Sequence, residues 1–132
     1  MHAINEQSKK IMERLIAQLD DGYLKLDNTN GTFMPLIVEK VTDEPGFTAV
    51  YSLAHYGEQN GDLMADPDMT FGLKDEKFYP LSFRNDYAGV DQEVIRDREA
   101  AVPQVNLKLQ HELTEFADQW LQNIADQQGI KL

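Results

Sequence analysis

The chain has no cysteine, and that one absence removes several classes of function. A disulfide-stapled scaffold, a thiolate metal site and a cysteine nucleophile all need a residue it lacks. A basic cluster is missing too. Lys9-Lys10 is the densest basic pair, and 12 basic side chains stand against 23 acidic ones, for a formal net charge of −11. Such a chain repels DNA, RNA and anionic membranes, so direct nucleic-acid binding and membrane association are not expected. No apolar run approaches the roughly 20 residues of a membrane-spanning helix. The segment Met1 to Asp21 is amphipathic rather than the continuous apolar core of a signal peptide. Neither G-x-S-x-G nor a glycine-rich phosphate loop occurs, and no cofactor is implied. The expected setting is the cytosol.

What remains is enough for one folded unit. The 132 residues are 42% apolar and include six Phe, five Tyr and one Trp, which argues for a real core and against disorder. Residues 1–132 are expected to form a single domain.

Hydrophobic periodicity orders the elements. Ile4, Ile11, Leu15, Ile16 and Leu19 recur at helical spacing, predicting a helix over 4–21 with Asn5 as a cap and Gly22 past its end. Asp20 and Asp21 oppose the dipole of such a helix and fit a turn better. A strand-rich middle follows. Tyr23 to Asp27 is a short strand or an extended connection, Asn28-Thr29-Asn30-Gly31 a turn, and Phe33 to Val41 a strand that Pro35 confines to an edge or a start. After the turn Asp43 to Gly46, Phe47 to Tyr56 alternates most clearly, and Asn60-Gly61 marks a hairpin. Asp62 to Met64 and Met69 to Leu73 are strand-like but interrupted at Asp66-Pro67, where a kink or bulge is expected. Lys74 to Lys77 is a hairpin turn, Phe78 to Arg84 a strand containing Pro80, and Ala88 to Ile95 a further short strand. Asp97 to Ala101 is a charged linker or an early helical turn. A last helix is predicted over Pro103 to Gln128, with Val105, Leu109, Leu113, Phe116, Trp120 and Ile124 as one apolar stripe and Gly129 ending it. Strands joined by short turns pair antiparallel. The expected fold is therefore a two-layer α+β domain: an antiparallel meander of about four to six strands, with an N-terminal and a long C-terminal helix packed on it.

The densest polar chemistry lies between Asn60 and Gly89. Asp62, Asp66 and Asp68 sit close together, and the chain returns to Arg84-Asn85-Asp86 after a hairpin. Carboxylates of this kind suit a hard divalent cation, with Asp86 and His55 as additional ligands, although the spacing is not that of an EF-hand. The plainer account is that Asp62 follows a turn, Asp66 precedes Pro67 and Asp68 caps a strand. An electrostatic latch is the favoured account: Arg84 paired with Asp62, Asp66, Asp68 or Asp86, holding a kinked strand to its neighbour with no ligand. Pro67-Asp68 followed by Asp75-Glu76-Lys77 fits a PD…(D/E)xK nuclease pattern literally. That core needs its acids and lysine on adjacent strands, whereas Asp75 to Lys77 reads as a hairpin tip. His2, His55 and His111 stand near no recognisable nucleophile, and a lone His beside an aromatic is more often packed than catalytic. Finally, 11 of the 23 acids fall between Glu58 and Glu99, with Glu112, Glu115, Asp118 and Asp126 on the last helix. On one face they would mimic a polyanion, but a solvated surface explains them equally well.

Asn60-Gly61-Asp62-Leu63, Asp66-Pro67-Asp68-Met69-Thr70-Phe71 and Phe83-Arg84-Asn85-Asp86-Tyr87-Ala88-Gly89 together resemble a domain-of-unknown-function family. Its members are small bacterial proteins linked to plasmids, conjugative elements and phages. The resemblance spans roughly residues 50 to 95 and implies no activity and no catalytic residue. It does imply an accessory protein of a mobile element. The leading expectation is thus a non-enzymatic protein that binds another protein. A divalent-metal-dependent enzyme using Asp62, Asp66 and Asp68, and an acidic DNA mimic or anti-restriction protein, are the alternatives. The N-terminal helix could equally serve a homodimer.

Overall fold

The computed structural model describes residues 1–27 and 34–132. The expected Asn28-Gly31 turn and the start of a strand at Phe33 lie outside the described residues. The order is a helix, a run of strands and a second helix. α1 spans Glu6–Ile16, β1 Tyr23–Leu26, β2 Leu36–Val41, β3 Ala49–Gln59, β4 Asp62–Lys74, β5 Lys77–Asn85 and β6 Val90–Glu93. A two-stranded ribbon of β7 (Ile95–Arg96) and β8 (Gln104–Val105) leads into α2 (Leu107–Gln128). The six strands β1 to β6 form one antiparallel sheet in chain order, the expected meander.

Tight turns make that order possible. Asn60-Gly61, with φ of 52° and 85°, joins β3 to β4, and Asp75-Glu76, with φ of 51° and 64°, joins β4 to β5. Paired left-handed residues match the right-handed twist of the strands they connect. Asp21-Gly22 forms a third such turn, with φ of 51° and 76°. It is closed by the exchange of backbone hydrogen bonds between Asp20 and Tyr23. That turn corrects the first helix, which ends at Ile16 rather than residue 21. Asp20 and Asp21 belong to the hairpin, where an Asp-Gly pair is favoured. The Asn5 cap is present, its side chain accepting from the Ser8 N–H at 2.8 Å.

Both strand prolines sit at shifts in register. Pairing of β3 with β4 slips between Ala54 and Tyr56, opposite Asp66-Pro67, whose peptide bond is cis. Pairing of β4 with β5 slips between Thr70 and Phe71, opposite Leu81 beside Pro80. The bulges spare the ladder a missing donor, so Asp62 to Lys74 is one strand rather than two short ones. The other differences also have local causes. β3 continues to Gln59, because Gly57, Glu58 and Gln59 pair with Met64, Leu63 and Asp62. α2 starts at Leu107 rather than Pro103. Val105 pairs with Ile95 and is exposed, and Asn106 caps the helix by accepting from the Leu109 N–H at 3.0 Å.

Both helices share one face of the sheet. Leu53, Met69 and Phe71 from the central strands meet Ile11, Met12 and Leu15 of α1 and Leu121 and Ile124 of α2, all fully or almost fully buried. Each such side chain contributes roughly 1.5–3 kcal/mol of burial. The chain start is sewn between the layers. The buried Gln110 amide accepts from His2 N and donates to the His2 carbonyl, both at 2.7 Å, while Ile4 N donates to Phe78 O. Asp118 of α2 accepts from Asn5 N and Ser8 Oγ, fixing α1 against α2.

Candidate functional site

The opposite face of the sheet carries no helix among the described residues. Side chains alternate across a strand, so the register decides what that face presents. His55 and Phe83 point to the helices, with rings against Trp120 and Phe116. Their neighbours Tyr56, Ser82 and Arg84 therefore point away. One cross-strand row on this open face reads Tyr23, Glu39, Ser52, Thr70, Ser82 and Glu93. The next row reads Lys25, Ile37, Ala54, Asp68, Arg84 and Asp91.

The centre of this face is built from small hydroxyls. Ser52 Oγ donates to Asp68 Oδ1 at 2.8 Å, Tyr56 Oη reaches Asp68 Oδ2 at 3.4 Å, and the Thr70 and Ser82 hydroxyls bond each other. Short side chains leave a shallow trough with two deeper ends. One end, of about 460 Å³, is lined by Tyr23, Lys25, Pro35, Ile37, Glu39, Tyr56 and Leu63. The other, of about 210 Å³, lies over Val50, Thr70 and Ser82, with Glu44, Glu93 and Arg98 at its rim. Arg98 is engaged there, its guanidinium bonded to Glu44 at 2.9 Å and Glu93 at 3.1 Å. Burial, and then the Asp68 carboxylate beside it, push the Tyr56 hydroxyl pKa up from its ordinary value, so Tyr56 stays a neutral donor.

The polar residues singled out in the sequence divide among separate partners. Arg84 is held by Asp86, with Nε to Oδ1 at 2.8 Å and a second guanidinium nitrogen to Oδ2 at 3.0 Å. Asp86 in turn grips β4: its Oδ2 accepts from Ala65 N at 2.8 Å and its own N–H donates to Ala65 O at 2.9 Å. The Arg84 hydrogen bonds, and then the Ala65 N–H, hold the Asp86 carboxyl below its ordinary range. Asn85 donates to Asp66 Oδ1 at 3.1 Å and accepts from Ala88 N at 3.1 Å. Asp68 belongs to the hydroxyl network. Asp62 is exposed at the β3–β4 hairpin, opposite Gln59. Arg84 thus takes Asp86 as its ion-pair partner, while Asp68 is only its register neighbour.

No group of three His, Cys, Asp or Glu side chains among the described residues is arranged to hold a metal ion. Asp75 and Glu76 are the turn of the β4–β5 hairpin, which does not bring Asp75-Glu76-Lys77 beside Asp68 in the register. The acids are divided between layers: Asp68, Asp91 and Glu93 lie on the open face, and those of α2 on the other side of the sheet. A DNA mimic needs them on one face. Among the histidines, the His2 and His111 rings meet at a tilt of 57° with centroids 4.4 Å apart, and His111 Nε2 lies 2.8 Å from Glu115. His55 is buried at the β3 irregularity, and its Nε2 has no hydrogen-bond partner among the described residues.

Sequence reasoning missed the open-face residues Tyr23, Ile37, Glu39, Ser52, Tyr56, Leu63, Thr70 and Ser82 as a group. Each has the alternation of its own strand, but only the pairing register lines them up.

Fold and site define a two-layer α+β domain with helices on one side of a meander and a polar and aromatic trough on the other. The chain matches the family described as Domain of unknown function (DUF6908) over residues 6–130, and it belongs to that family. No curated protein and no solved structure matches it.

Proposed function

We propose that this protein works by binding another protein, with the open face of the sheet as the contact surface. One observation carries the reading. A six-stranded sheet leaves one face without a helix among the described residues, and at its β1–β3 end a groove collects half-exposed Tyr23, Leu63 at 72% exposure, Ile37 and Tyr56. Apolar and aromatic side chains around a polar floor make a surface suited to partner contact. The resemblance over residues 50 to 95 supports a partner among the host proteins that a mobile element meets.

Position-specific photo-crosslinking in the native cell tests this. A photoreactive phenylalanine analogue at Leu63 or Tyr23 is expected to give a discrete adduct, and the same group at Glu112 of α2 none. Adducts equal at all three positions, or none at the sheet positions, would overturn the open-face assignment.

A further inference from the structure

We infer that the groove between Tyr23 and Tyr56 receives an arginine or lysine side chain of the partner protein. This rests on the open-face reading and names the chemistry of its occupant. Tyr23 and Glu39 are direct cross-strand partners, and Tyr23, Glu39 and Tyr56 line the same groove. A cation there meets two tyrosine rings, an arrangement that attracts it through the ring quadrupoles. It also meets the Glu39 carboxylate in the groove lining. Glu39 forms no ion pair among the described residues, where the Lys and Arg pairs are Lys25–Asp27, Arg84–Asp86 and Arg98 with Glu44 and Glu93. The two arginines at this face are already engaged, and Lys25, the groove's own cation, is turned to Asp27 at 3.8 Å.

Charge also separates the possible occupants. A second copy would bring its own Glu39, Asp68 and Asp91 against these, on a chain of net charge −11. Like charges set face to face disfavour that pairing. A nucleic acid or an anionic membrane is repelled by the same acids. A basic protein segment gains from them at every distance, first by steered encounter and then by direct contact.

The test is a titration of the 15N-labelled full chain with the peptide acetyl-VRVRVR-amide, and with the same peptide carrying citrulline, the uncharged isostere, for each arginine. Amide shifts are expected at Tyr23, Glu39, Tyr56 and Leu63 with the arginine peptide, and binding about tenfold weaker with citrulline. Glu39→Gln and Tyr56→Leu should each weaken binding by about five- to tenfold, their amide spectra showing that both variants stay folded. Three outcomes overturn the inference: no binding at millimolar peptide, equal binding of the citrulline peptide, or shifts centred on Glu112 and Glu115 of α2. A Leu63 crosslink that persists beside any of these would leave the open face as the contact surface and show that its partner is not basic. Loss of the crosslink as well would remove the surface itself.

Discussion

Two faces of one sheet share every strand and differ in almost everything else. In β3 and β4, Leu53, Met69 and Phe71 are fully buried beneath the helices, while Ser52, Asp68 and Thr70, one residue away in each case, look outward, Ser52 bonding Asp68 and Thr70 bonding Ser82. The covered face is apolar, continuous and tolerant of no gap. The open face is polar, shallow and acidic. A period of two residues separates what holds the protein together from what it presents to a partner. Changes on the first should be felt as stability, and changes on the second as binding.

The largest expected effect tests that division directly. Phe71→Ala empties a fully buried aromatic site and is expected to lower unfolding free energy by about 3–5 kcal/mol. Thr70→Ala, its immediate neighbour, removes only a hydroxyl bonded to Ser82 and should cost less than about 1.5 kcal/mol. Urea denaturation of both variants supplies the comparison. Similar losses would break it.

Gly72 sharpens it. The residue points to the open side yet is buried, because Phe47 and Leu81 close over it. A Cβ at this position would lie 2.5 Å from Phe47 Cδ1 and 2.9 Å from Leu81 Cδ1. Gly72→Ala must displace both and is expected to cost about 1–3 kcal/mol. If it proves neutral, the Phe47 flap moves freely, and the trough extends further towards the β4–β5 end than its present walls allow.

How much of this was legible in the sequence follows from the range of the forces involved. The meander was legible because its turns are local: Asn60-Gly61 and the polar tip at Asp75-Glu76 declare hairpins within four residues. So was the C-terminal stripe at Leu109, Leu113, Trp120 and Ile124, all buried, whereas Phe116, expected in the same stripe, is exposed at its edge with its ring against Phe83. The first helix was read too long because Ile16 and Leu19 keep helical spacing past its end, while Asp21-Gly22 forms a hairpin turn there. Val105 looked like part of the stripe until its pairing with Ile95 made it a strand. The latch was legible in kind but not in partner. Four aspartates stand near Arg84 in sequence, and the bend after β5 folds Asp86 back onto it. The open-face rows could not be read at all, because Glu39, Ser52, Thr70 and Ser82 come from four strands, and two bulges set the offsets between them.

His55 offers a sharper separation of the faces through pH. It lies on the covered side of β3, 6% exposed, edge-on to Trp120. Burial lowers its pKa below the ordinary value of 6.5, with the Asp66 carboxylate opposing in part. On acidification the unfolded chain takes up this proton first. The stability contribution is therefore full above about pH 6.5 and is lost as pH falls through the lower, folded-state value. Thermal unfolding between pH 7.5 and 5 should show wild type losing more stability than His55→Leu, with both retaining the same affinity for the arginine peptide at pH 7.5. Parallel pH profiles would place this imidazole in contact with solvent and make the covered face less dry than its neighbours.

The smallest expected effect comes from a position that belongs to neither face. The β4–β5 turn sets Asp75 and Glu76 at φ of 51° and 64°, a conformation that is unfavourable for a side chain with a Cβ. The other two turns of this kind among the described residues, Asp21-Gly22 and Asn60-Gly61, use glycine at the second position. Glu76→Gly relieves the left-handed strain, worth roughly 1–2 kcal/mol. It also raises the entropy of the unfolded chain, which takes back about 0.5–1 kcal/mol. The net gain should be about 0.5–1 kcal/mol, or a rise of about 2–4 °C in Tm. Peptide binding should be untouched, since the turn stands at the opposite end of the hairpin from Asp68 and Arg84. A change in affinity accompanying the gain in Tm would mean that the open face senses strain in its turns, and the two faces could then no longer be treated as independent.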